Sequence, residues 1–165
     1  MISTVRTKHL LEVWISHLVL CATGAAPRRT LIVGRKEDDA HAIELDFVED
    51  ARGELERLIA LYRAGLRMPL PYLHDPAQQL VDKLAKGEEL PSALAAAASK
   101  ALPAARGRPP SDGDDAHVRQ VFSLRQLEAI GSLSARDENG EVLDFATVAQ
   151  RLLTPLERHK REKGA

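Results

Sequence analysis

The sequence predicts a mixed α/β fold, mostly helical, with a small β-sheet flanked by helices. Three observations predict it. Apolar residues recur at helical spacing in long segments near the start, middle and end of the chain. Two short runs with strand character follow the first helical segment closely enough to form a hairpin. The 165 residues are 44% hydrophobic and 28% charged, an ordinary globular composition that suits one domain over 1–165.

The first helix is expected from about Thr4 to Ala22. Leu10, Leu11, Trp14, Leu18 and Cys21 form its apolar stripe, and Gly24 and Pro27 end it. Thr30 to Gly34 is short and β-branched. Glu37 to Asp39 reads as a turn, and His41 to Val48 alternates in part. Ile43, Leu45 and Phe47 face one side, Ala42, Glu44 and Asp46 the other. An antiparallel hairpin follows. A second helix runs from about Asp50 to Ala64, with Leu55, Leu58, Ile59, Tyr62 and Leu66 as its expected buried face and Asp50 as its cap.

That helix meets Gly65, a candidate left-handed cap, and then Pro69 and Pro71, which forbid further helix. Pro69-Leu70-Pro71-Tyr72-Leu73 reads as a rigid, extended apolar strip. It is a candidate interface, with packing on the chain's own core as the alternative. Asp75-Pro76 reads as N-cap and first helical position of a third helix, which Gly87 ends. Leu90 to Ala105 is an Ala-rich helix after Pro91, and 103–115 a flexible loop rich in Gly, Pro and Asp. His117 to Leu127 has room for a short helix, and Asp137 to Glu141 is a polar turn. The last helix, about Asp144 to His159, buries Phe145, Val148, Leu152 and Leu156, with Pro155 expected to kink it.

Composition excludes several classes. Net charge is -1 and aromatics are 4%, so neither a broad basic surface nor a set of base-stacking platforms is available. The local basic clusters are Arg28-Arg29, Arg35-Lys36 and the tail Arg158 to Lys163. Each reads as a solvated turn or a frayed terminus. The one cysteine, Cys21, allows no internal disulfide, fits a reducing compartment and falls on an apolar helical face. No signal peptide and no membrane span are visible, which places the protein in the cytoplasm.

Glu44 and Asp46 project from one side of a strand that leads into a helix, an arrangement that suits Mg²⁺ and a metal-dependent DNA nuclease. Restriction-endonuclease-like nucleases also need a lysine two residues on along that face, to orient water and stabilise developing charge. Here the residue two beyond Asp46 is Val48, and Lys36 lies across the turn. Glu44 and Asp46 therefore read as a solvent-facing strand edge. The chain has no Gly-x-Ser-x-Gly elbow and no Gly-rich phosphate loop. Its six histidines never pair at ligand spacing, and His17 reads as a hydrogen-bonded core or boundary residue. By its residues the chain has no catalytic, cofactor or metal site. The alternatives are the nuclease using Glu44 and Asp46, and a small DNA-binding module using the basic tail.

Four segments together resemble the C-terminal domain of RecC, the gamma subunit of exodeoxyribonuclease V. The first is RTKHLLEVWISHLVLCA, Arg6 to Ala22, a helix with central Trp14 and the pair His17-Leu18. The second runs from Leu55 to Tyr72, with Gly65-Leu66 and the exit Pro69-Leu70-Pro71-Tyr72. DAHVRQVF, Asp115 to Phe122, is similar to an Asp-Pro-Tyr-Val-Arg-like entry, although Ala116 and His117 replace the Pro and aromatic. FATVAQRLLTPL, Phe145 to Leu156, is similar to that subunit's closing helix.

The resemblance implies a restriction-endonuclease-like fold that has lost its active-site residues. It implies a non-catalytic organiser within the RecBCD helicase-nuclease, in double-strand-break repair by homologous recombination. Partners would be RecB-like and RecD-like subunits, with DNA met through the assembled complex. ATP and Mg²⁺ would act at those partner subunits, with no cofactor in this chain. Only the C-terminal piece of that long subunit is represented, so functions of its earlier domains are not expected here.

Overall fold

The computed structural model describes residues 7–24, 28–36, 39–104, 111–137 and 139–163. The expected helix residues Thr4 to Arg6, the turn residues Glu37 and Asp38, and 105–110 of the expected loop lie outside the described residues. The chain divides into two compact units: 1–59 with 154–165, and 60–153.

The first unit holds α1 (Thr7–Thr23), β1 (Thr30–Lys36), β2 (Asp39–Leu45), the first half of α2 (Ala51–Arg67), the end of α7 (Phe145–His159) and β5 (Lys160–Lys163). The expected hairpin is present, with β1 antiparallel to β2 and Ile32 opposite Ile43. β2 then pairs antiparallel with β5, giving the order β1-β2-β5. The tail from Lys160 is therefore a strand, not a frayed terminus. Arg161 lies opposite Glu44 in the register, so a basic strand pairs with one that carries outward acids.

One face of this sheet carries the core. Ile43 and Leu45 pack with Leu10, Trp14, Leu18 and Cys21 of α1, with Ala51 of α2 and with Leu156 of α7. Trp14 is 1% exposed and stacks against both His17 and His159, at 5.8 Å between ring centroids in each case. The expected stripe of α1 is thus its buried face.

The second unit holds the rest of α2, α3 (His74–Ala85), α4 (Leu90–Ala101), α5 (Ala116–Val121), α6 (Leu124–Glu128), β3 (Ser134–Arg136), β4 (Val142–Asp144) and the start of α7. Leu61 and Ala64 pack with Leu143 and Val148, and Leu70, Tyr72 and Leu152 line the same cluster. Leu55 and Leu58 pack on the first unit's core as expected, whereas the second half of the expected α2 face is corrected. Ile59, Tyr62 and Leu66 are exposed, at 48%, 66% and 69%. Apolar residues occur on two sides of that half-helix, and its packing partners decide which side is buried.

Gly65 does not cap α2. The helix continues through it to Arg67, and among the described residues only Gly87 and Gly140 take positive φ. The stop comes from Pro69, which disfavours helical geometry at Met68. The strip beyond is bent rather than extended, because the Tyr72 N–H donates to the Leu70 carbonyl at 2.8 Å in a three-residue turn. Its Pro71 and Leu73 are buried, so it packs on the chain's own core.

Helix α3 begins one residue before Asp75, with Leu73 as N-cap and no side chain of its own capping it. Its end is as expected. Gly87, at φ 81, closes a Schellman arrangement in which Glu88 N–H donates to Lys83 O at 3.1 Å and Gly87 N–H to Leu84 O at 3.0 Å. Asp112 to Asp114 form a 3₁₀ turn in the region expected as loop, with the Asp114 carboxylate accepting the Ser111 N–H at 2.8 Å. The polar turn at Asp137 closes a small hairpin, β3 against β4, with Gly140 at φ 79. Helix α7 runs on through Pro155.

Candidate functional site

Asp46 and Glu44 lie where β2 turns its polar side away from the core. β2 is the central strand of its sheet, so the expected strand edge is corrected, and Glu44 is only 8% exposed. Arg29, just before β1, donates from Nη1 to Glu44 Oε1 at 3.3 Å, and its Nε lies 3.7 Å from Asp46 Oδ1. Arg161 of β5 forms an ion pair from Nε to Asp46 Oδ2. The guanidinium side chains are 67% and 70% exposed, whereas the carboxylates are 11% and 18% exposed. The cations stay largely hydrated and escape most desolvation, while the mostly buried carboxylates rely on them for charge compensation.

The chemical consequence is charge neutralisation. Two arginines face two carboxylates, and a dication could use those oxygens only by displacing a guanidinium. Among the described residues, no group of three or more His, Cys, Asp or Glu is arranged to hold a metal. The cluster straps the entry to β1, the end of β2 and the start of β5 together.

The backbone of Asp46 ties the same point to the opposite side. Its N–H donates to the His159 carbonyl at 2.9 Å. Its carbonyl lies 2.9 Å from Nε2 of His17, which is fully buried. A carbonyl only accepts, so Nε2 carries a proton. Nδ1 lies 2.9 Å from the Thr30 hydroxyl, which donates to it in the neutral ring. His17 is therefore a hydrogen-bonded core residue, as its position on the α1 stripe suggests. Cys21, with Sγ 3.5 Å from His17 Nε2, is buried in the same core.

A second polar cluster occupies the start of α3. Tyr72 Oη lies 3.0 Å from His74 Nδ1, and the rings meet edge to face. Asp112 Oδ2 accepts the Asp75 N–H at 2.9 Å and so caps α3 from a distant segment. Burial raises the Tyr72 phenol well above its ordinary range, helped by the charges of Asp112 and Asp75. Burial also raises Asp112, against the lowering effect of the backbone donors at Asp75 and His74. Asp114 moves the other way, held down by the N–H groups of Ser111 and Ala104. Tyr72 and Asp112 are polar anchors here.

Sequence reasoning located Glu44, Asp46 and His17 but missed Arg29 and Arg161 as partners of the two carboxylates, and missed Asp112 as the cap of α3. The available signal was the alternation Arg161-Glu162-Lys163, which fits a strand beside an acidic one. Of the basic clusters, Arg29 and Arg161 face carboxylates, and Lys160 donates to Glu157 at 2.8 Å. The side chains at 35 and 36 lie outside the described residues. No helix among the described residues is long and apolar enough to cross a membrane.

Comparison with known proteins agrees with the resemblance on the chain's first half. The family model for the RecC C-terminal domain matches residues 1–85. That span includes Arg6 to Ala22, Leu55 to Tyr72 and the strand with Glu44, whereas the resembling segments at 115–122 and 145–156 lie beyond it. No curated protein matches the chain. No solved structure matches it either. With half the chain covered, from α1 through α3, the chain belongs to the RecC C-terminal domain family, a family of exodeoxyribonuclease V and DNA repair.

Proposed function

We propose that this chain is a structural and interaction domain of a RecBCD-type helicase-nuclease, acting in double-strand-break repair by homologous recombination without catalysing a step itself. The observation that carries this reading is the pairing of Glu44 and Asp46 with Arg29 and Arg161. The carboxylate pair that the sequence suits to a metal is neutralised by the protein's own cations. Together with the lack of a lysine two residues beyond Asp46, this supports a restriction-endonuclease-like fold whose catalytic face has become a strap. The Mg²⁺-dependent nuclease reading requires that strap to open. The basic-tail DNA-binding reading loses support because Lys160–Lys163 is built into the sheet.

On this reading the partners are RecB-like and RecD-like subunits. DNA is met through the assembled complex, ATP and Mg²⁺ act at those subunits, and the assembly works in the cytoplasm. The test is co-expression of this chain with the RecB-like and RecD-like subunits of its own source, followed by size exclusion. Stable comigration is expected. A folded chain that elutes alone, or one that cleaves linear DNA with Mg²⁺ and loses that activity in Glu44→Ala, overturns the proposal.

A further inference from the structure

Strands β3 and β4 are three residues each and pair with one another in a sheet of two strands. So short a hairpin is marginal unless it is anchored to the rest of its unit. One anchor is Leu143, 1% exposed, which packs with Leu61, Ala64 and Val148, and Ala135 lies against the same cluster. The Asp137 N–H closes the tip by donating to the Glu141 carbonyl at 3.0 Å. N–H groups alternate in direction along an antiparallel strand, so the N–H of the neighbouring Arg136 points away from β4. Its acceptor is a thioether. The Arg136 N–H donates to Met68 Sδ, with 3.3 Å between nitrogen and sulfur. Sulfur is a weak acceptor, but here it is held in place. Met68 follows directly on α2, its own N–H donates to the Ala64 carbonyl at 3.1 Å, and Pro69 restricts the chain beyond it. Met68 is half-buried and Arg136 is exposed, so the contact lies at the surface, within reach of small solutes.

We propose that Met68 is a modification site, a thioether that a hydroperoxide oxidises to the sulfoxide, and that this oxidation unfastens β3 from the end of α2. A sulfur lone pair attacks the terminal peroxide oxygen. The S–O bond forms and the O–O bond breaks. The proton of the transferred hydroxyl passes to the leaving oxygen, which departs as water or an alcohol. Sulfur loses two electrons and the peroxide gains them. The product does not fit the contact. The 3.3 Å between sulfur and nitrogen is spanned by the N–H hydrogen alone, and an oxygen placed there pushes the strand outward. With the oxygen turned to solvent instead, the sulfur has given up the electron pair that accepted the N–H. Either arrangement frees the outer side of β3, and reduction of the sulfoxide restores it.

Treating the full chain with hydrogen peroxide, then following peptide masses and amide exchange by NMR, tests this. The expected result is one added oxygen on Met68 and exchange at Arg136 about tenfold faster, with exchange unchanged at Leu61 in the buried cluster. The other methionine, Met1, falls in a separate peptide and is scored apart. Met68→Leu keeps the volume and removes both the acceptor and the oxidisable sulfur. Its Arg136 amide should exchange fast before and after peroxide. Methionine sulfoxide reductase with a thiol should return the oxidised wild type to slow exchange. Should Met68→Leu not fold, the oxidised, reduced and re-reduced wild type decide alone. A Met68 that stays reduced under peroxide that converts free methionine overturns the proposal. A sulfoxide that leaves Arg136 exchange unchanged overturns it too, as does a Met68→Leu variant that responds to peroxide like the wild type.

Discussion

His17 and Asp46 meet through the ring and the main chain. Nε2–H of the buried histidine donates to the Asp46 carbonyl at 2.9 Å, while the carboxylate of the same aspartate holds Arg161 on the other side of the sheet. The residue just after β2 thus fastens α1 beneath the sheet and β5 beside it.

Replacing His17 by alanine leaves a cavity beside Trp14 and strips the Asp46 carbonyl and the Thr30 hydroxyl of a buried partner. Lost hydrogen bonds and the cavity together cost about 2–4 kcal/mol. Urea denaturation of His17→Ala measures this, and a loss below about 1 kcal/mol would show that the ring is not a fastening point.

Removing residues 160–165 turns β2 into an edge strand and deletes the four register pairs with β5. The expected result is loss of amide-exchange protection at the β2 groups that face β5, with a lower unfolding midpoint. A frayed tail would leave both unchanged.

Asp112 has a raised pKa in the folded chain, chiefly from burial. The fold therefore favours its neutral form. The stabilisation from this group is fully present below the unfolded carboxyl value and is lost as pH rises through the higher folded value. Asp112→Asn keeps an oxygen for the Asp75 N–H without the charge. It should equal or exceed the wild type in stability at neutral pH and converge with it in acid. Asp112→Ala loses the cap and about 1 kcal/mol. Thermal unfolding of the three proteins at acid and neutral pH decides between these outcomes. Asn less stable than wild type at neutral pH would contradict the assigned sign.

The phase of α2 is tested by comparing two leucines. Leu61 is 4% exposed and Leu66 is 69% exposed. Leu61→Ala should cost about 2–4 kcal/mol, and Leu66→Ala less than about 0.5 kcal/mol. Equal costs would restore the face expected from sequence.

The elements that were legible are those whose local signals agree. The α1 stripe, the β1–β2 hairpin and the Gly87 stop each combine a periodic pattern with a turn residue suited to it. The chain was opaque where tertiary partners choose between local options. Leu58, Ile59, Leu61, Tyr62, Ala64 and Leu66 leave α2 two plausible faces, and only Leu143 and Val148 select one. β3 and β4 are three residues each, too short to show alternation. β5 is entirely charged, so hydropathy gives no hint of a strand, and its pairing rests on Glu44 and Asp46, which stand more than a hundred positions earlier in the chain. The candidate site was half legible for the same reason. Its acids stand two apart on one strand, but their cations come from Arg29 and Arg161, at opposite ends of the chain.

The pairing of β5 with β2 also sets the order in which the two compact units are completed. Residues 60–153 form a contiguous compact unit, whereas the other unit needs both 1–59 and 154–165. On the ribosome, β2 waits with one side unpaired and Asp46 without Arg161 until β5 emerges. Closing so long a loop is slow. The interval before β5 arrives is when the β1–β2 ribbon is most open to pairing with another chain.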